Sequence, residues 1–150
     1  MPRRRQDTRE RFHFDIADWS LEYGMHIDPN HRPKDTFRRC WETHAVFVNG
    51  PLRSRTHRRV QKVELRVYPT ELKVDTWPTT SNGFGSVIRI RGGLLEALVQ
   101  IPEASFPSVF LGLVAGKIAS ISFTAEFGDK RRRIQDLYTY REPFNPDEDE

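Results

Sequence analysis

The chain has 150 residues, enough for one domain with a sizeable core and no need of disulfide or metal staples. Its hydrophobic content of 37% suits a globular protein, and a mean hydropathy of −0.67 gives it a very polar surface. A single cysteine, Cys40, excludes an internal disulfide, and no apolar run approaches the ~18 residues of a membrane span. The Arg-rich start lacks the apolar segment of a signal peptide, so a soluble, cytoplasmic protein with no membrane partner is expected. Net charge is +3, unevenly placed: residues 1–66 hold 15 Lys/Arg against 9 Asp/Glu, whereas residues 67–129 hold 4 against 6. The basic excess sits in the first half.

Residues 1–9, with Arg3, Arg4 and Arg5, have no apolar anchor and are expected to form a flexible basic arm. Phe12, Phe14 and Ile16 then alternate with His13 and Asp15, and after a parity switch near 17–20 the apolar positions become Leu21, Tyr23, Met25 and Ile27. Two strands with a tight connection explain both halves. Residues 28–35 contain two prolines and read as a loop. Trp41 to Val48, apolar on both faces near its end, predicts a central strand, and Asn49-Gly50 is a turn signal that Pro51 makes unsuitable for a simple hairpin. The basic stretch 51–59 is either a loop or an edge extension. Val63, Leu65 and Val67 mark a strand that Pro69 is expected to stop; Leu72, Val74 and Thr76 mark another, followed by a loop over 78–85.

Gly92-Gly93 is flanked by two apolar runs and predicts a two-residue hairpin. That register sets Arg91 against Leu94, Ile90 against Leu95, Arg89 against Glu96 and Ile88 against Ala97. The period then changes: Phe106, Val109, Phe110, Leu113 and Val114 share one face of a helix between Pro107 and Gly116. It returns to two at Ala119, Ile121, Phe123, Ala125 and Phe127, a strand with one buried face, and Gly128-Asp129 leads into a last strand over 131–140. The β-rich domain spans 10–142, and the acidic tail 143–150 is expected to be disordered. About nine short strands with one helix near 106–115 define a mainly antiparallel β-sandwich, jelly-roll-like, or a flattened barrel.

The candidate chemistry is sparse. Arg53, Arg55, Arg58, Arg59 and Lys62, joined by Arg131, Arg132 and Arg133, form basic clusters suited to phosphate contacts if they merge on one surface. A solvated basic edge that blocks strand-to-strand aggregation is the plainer account of the same residues. His26, Asp28 and His31 have an H-x-D-x-x-H spacing that supplies three possible metal ligands, with no fourth indicated. Cys40 and His44 lie about 13 Å apart in an extended strand and cannot form a dyad. Gly83-Phe84-Gly85 lacks the lysine and helix of a phosphate loop, and no cofactor is expected. Trp19, Trp41 and Trp77 read most simply as core.

Arg5-x-x-x-Arg9, Asp18-x-Ser20 and Gly24 share residue types with the PilZ motifs, but the glycine falls one residue late and the gap between the two motifs is too short. No family function is carried over. The leading expectation is a non-catalytic β-sandwich acting through protein–protein contacts or self-association. Nucleic-acid binding through the basic clusters stands second, and a metal- or small-ligand-dependent enzyme third.

Overall fold

A computed structural model of the chain describes residues 8–30, 32, 34, 36–37, 39–56, 58–71, 85–128 and 130–149. Eight strands are present among these residues: β1 (Arg9–Asp15), β2 (Asp18–Ile27), β3 (Cys40–Pro51), β4 (Lys62–Thr70), β5 (Gly85–Arg91), β6 (Leu94–Pro102), β7 (Ser120–Glu126) and β8 (Ile134–Tyr140). They form a three-stranded sheet, β1-β7-β8, and a five-stranded sheet, β2-β3-β4-β6-β5. The two sheets do not close into a barrel, so the fold is sandwich-like. Helix α1 (Phe106–Val114) links β6 to β7, and α2 (Pro146–Asp149) is a single turn. No described helix is long and apolar enough to cross a membrane.

The core follows from the alternation of each strand. Phe12 and Phe14 of β1 meet Ile121 and Phe123 of β7, and their sheet packs on Val46, Val48, Val63, Leu65, Leu95, Ala97 and Val99 of the other. All of these side chains are fully buried, or nearly so. Such interdigitation of two inner faces is the main favourable contribution to a sandwich. Every strand pair is antiparallel except β4–β6, which departs from the all-antiparallel pairing of a jelly roll.

The connection between β1 and β2 is tight, but the two strands do not pair. β1 pairs with β7, and β2 pairs with β3 in the other sheet, so the chain changes sheets at Ile16-Ala17. That switch accounts for Asn49-Gly50, which is not a turn: both residues continue β3 beneath the crossing. The Ala17 amide donates to the Asn49 carbonyl (2.8 Å), and a Cβ on residue 50 would lie 1.6 Å from the Asp15 carbonyl oxygen. Glycine is required there by space.

Three further expectations are corrected. Pro69 does not stop β4, which continues through Thr70 alongside β6; the missing N–H is tolerated near a strand's end. The β5–β6 hairpin turns at Gly92-Gly93, both with positive φ, and holds the expected pairs as far as Arg89–Glu96. Beyond it a bulge sets Val87, not Ile88, against Ala97 and turns Ile88 outward. The bulge lies where β5 reaches the other sheet, with the Val87 amide donating to the Arg132 carbonyl (2.9 Å) and Ser86 bridging to Arg133. Finally, β7 is buried on both faces, including Ser120 and Ser122.

Ser122 lies beside Arg11 and Tyr140, and Ser120 is covered by the segment that follows β8. Phe144, inside the stretch expected to be disordered, is buried edge-on against the His13 ring (4.8 Å), and its amide donates to Asp15 Oδ1 (2.8 Å). His13 also stacks on Tyr140 (4.8 Å) and shares a hydrogen bond with Ser120 Oγ (2.9 Å). Phe144 thus anchors the start of the acidic stretch. Net charge alone gives no sign of that anchor.

Candidate interaction surface on the edge strand

The basic stretch after β3 is irregular beyond Leu52 but lies along the edge of β1. Leu52 bridges to Phe14, the Arg53 amide donates to the His13 carbonyl (2.8 Å), and the His13 amide donates to Ser54 Oγ (2.9 Å). Thr56 then hydrogen-bonds Glu10, so the segment follows β1 along its outer edge. Arg53 pairs with Asp15 (3.5 Å), and Arg58 pairs with Glu10 (3.1 Å) while its guanidinium covers the Phe127 ring at 3.7 Å. Arg55 lines a small cleft with Arg53 and Phe144.

Phe127 opens the β7–β8 turn that carries Arg131, Arg132 and Arg133, so this turn brings Arg58 and the second basic cluster to one end of the sandwich. Arg59 is exposed close by in the chain, and the Lys62 amide donates to the Gly93 carbonyl at the β5–β6 turn (3.1 Å). Arg53 sits apart, at the Asp15 end of β1. The clusters therefore converge in part.

The possible metal ligands do not come together. The His26 ring stacks on Trp41 (5.6 Å), and Asp28 Oδ1 accepts the Asn30 amide (2.9 Å). His31 lies outside the described residues, as does Trp77. Among the described residues no three His, Cys, Asp or Glu side chains are grouped to hold an ion. The His13–Ser120 contact has the residue types of a nucleophilic pair, but both side chains are buried and the Ser120 hydroxyl donates to the Glu142 carbonyl (2.7 Å). It is a structural lock for the chain's end.

The surface that stands out is β2. In the register of the five-stranded sheet, Trp19, Leu21, Tyr23, Met25 and Ile27 lie on the same face as the buried Val46 and Val48, the face turned to the core. Only the first part of the strand is covered. Trp19 packs on Phe110 of α1 (5.9 Å), and His44, which opposes Tyr23 on β3, packs on Phe106 (5.1 Å). Beyond that, Leu21 is 44% exposed, Tyr23 62%, Met25 60% and Ile27 54%.

Strand length is the cause. β2 has 10 residues and β3 has 12, whereas β1, β7 and β8 have 7 each. At about 3.3 Å per residue the longer strands overrun the opposite sheet by several residues. β3 pairs with β4 only from Val46 onward, so residues 22–27 and 40–45 project as a two-stranded ribbon among the described residues. Trp41, expected in the core, is half exposed on the other face of this ribbon.

The ribbon's second face carries a groove of about 390 Å³ between Glu22, Thr43, Ala45, Phe47 and Tyr68. Arg66 covers the Phe47 ring (5.6 Å) at its side. The Tyr23 hydroxyl is held above its ordinary pKa, first by desolvation, then by the charge of Glu42 and a hydrogen bond to it. No family model matches the chain, and no curated protein or solved structure matches it either.

Proposed function

We propose that this protein is a non-catalytic β-sandwich binding module that docks a protein partner along the edge of β2. The observation that carries the proposal is the row Leu21, Tyr23, Met25 and Ile27, exposed on a strand with no neighbour on its outer side among the described residues. Contiguous exposed apolar side chains mark interaction sites, and an open edge offers its amides and carbonyls to an added strand.

Two of the other edges, β1 and β5, are guarded by different means. β1 is flanked by residues 52–56, and β5 carries a bulge with Arg89 and Arg91 beside it. Arg89 is paired with Glu96 on the outer face, and that contact holds the carboxyl below its ordinary pKa. β2 has no bulge, no proline and no lysine over its ten residues. Bulges, prolines and lysines are the usual protections of an edge. The basic end is weaker support for a nucleic-acid function, because Arg53 and Arg58 are engaged by Asp15 and Glu10.

Photo-crosslinking in the native host tests the proposal, with p-benzoylphenylalanine in place of Tyr23 and, as the matched control, in place of Ile88 on the opposite edge. Strong protein adducts from position 23 and few from position 88 are expected. Equal adducts from both positions, or none from 23, would contradict it.

A further inference from the structure

We infer that the strand docked on β2 is β2 of a second copy of this chain, paired antiparallel about a twofold axis at Gly24. The inference rests on the proposed docking role of the edge and names its partner. A twofold axis perpendicular to a sheet keeps each face on its own side, and opposed residues in an antiparallel pair share a face. A self-pair of β2 therefore matches residue i with residue 2k − i about a whole-numbered centre k. Its apolar row always meets the same row.

Charge selects the centre. Centred on residue 22, the pair sets Glu22 against its own copy, and centred on 25 it sets Glu22 against Asp28. Both juxtapose like charges. Centred on 24, Glu22 of each copy opposes His26 of the other, so a carboxylate meets an imidazole that can donate to it, and this pair forms twice. The same register sets Leu21 against Ile27 and Tyr23 against Met25 on the apolar face, where a thioether beside an aromatic ring is favourable. Gly24 meets Gly24 on the axis with no side chain between them. A centre at 23 lacks that polar pair, because it sets Glu22 against Gly24.

The ribbon also needs such support. A two-stranded ribbon is marginal in water, and this one has apolar side chains uncovered on one face. Pairing two copies joins two five-stranded sheets into one of ten strands and sets the two apolar rows side by side. Glu22 and His26 are four residues apart in an extended strand, too far to compensate one another within one chain.

Sedimentation velocity across a concentration series, with circular dichroism to confirm folding, tests the register. The wild-type protein is expected to dimerise. Glu22→Lys sets an ammonium against His26 of the other copy, and His26→Glu sets a second carboxylate against Glu22. Each should weaken dimerisation roughly tenfold, since two pairs are lost at once. The double variant E22K/H26E places opposite charges across the axis and should return toward wild-type affinity, although it too lacks the His26–Trp41 stack. A dimer indifferent to all three variants would overturn the inference. So would a folded wild-type monomer: with photo-adducts to another protein at position 23, the binding-module reading survives without self-pairing, and with no adducts both fail.

Discussion

Replacing Gly50 with alanine is expected to cost at least about 3 kcal/mol of folding stability, or to prevent folding altogether. The added Cβ would fall 1.6 Å from the Asp15 carbonyl oxygen, and that oxygen cannot move alone. It belongs to the peptide that carries the chain from β1 to β2, fixed on one side by Phe14–Leu52 and on the other by the Ala17–Asn49 hydrogen bond. The two sheets share this crossing, so strain there spreads into both. Chemical denaturation of the variant checks the prediction. A midpoint close to wild type would mean that the crossing lies farther from β3 than the structure places it.

Phe12→Ala should be the most damaging truncation in the core, costing about 3–5 kcal/mol. Phe12 is fully buried, stacks on Phe123 across the β1–β7 pair (5.4 Å) and meets the Phe127 ring edge-on (6.0 Å). Removing it leaves a ring-sized void between two sheets held apart by their other side chains. For a domain of this size such a loss lowers the melting temperature by about 10 °C or more. A shift of only a degree or two would show that the sandwich closes over the gap.

Much of the fold was legible because periodicity reports which residues share a face. The β5–β6 hairpin, helix α1 and the alternating strands all follow from that. What periodicity does not report is where a strand ends relative to the layer opposite it. Leu21, Tyr23, Met25 and Ile27 carry the pattern of a core-facing strand, and they do lie on the core-facing side; they are exposed because β1, β7 and β8 are shorter. The candidate surface was therefore written in the sequence as core.

Local turn chemistry misled at Asn49-Gly50 for a related reason. The glycine answers a long-range demand for space, and a dipeptide signal cannot distinguish that from a turn. The bulge at Val87/Arg89 likewise coincides with contacts to the 132–133 region, distant in sequence. Basic residues were easier to find than to place. Arg53 and Arg58 gained carboxylate partners from β1, about forty or more positions earlier in the chain.

Amide hydrogen exchange along β2, measured as protein concentration is raised, tests most directly the claim that this edge takes up a strand from a second copy. The β2 amides that face away from β3 should exchange freely in dilute protein and become protected as concentration rises. Those of the β5 edge should stay unchanged. If the outward β2 amides exchange at open-solvent rates at every concentration, β2 does not pair with its own copy and the account fails at its centre.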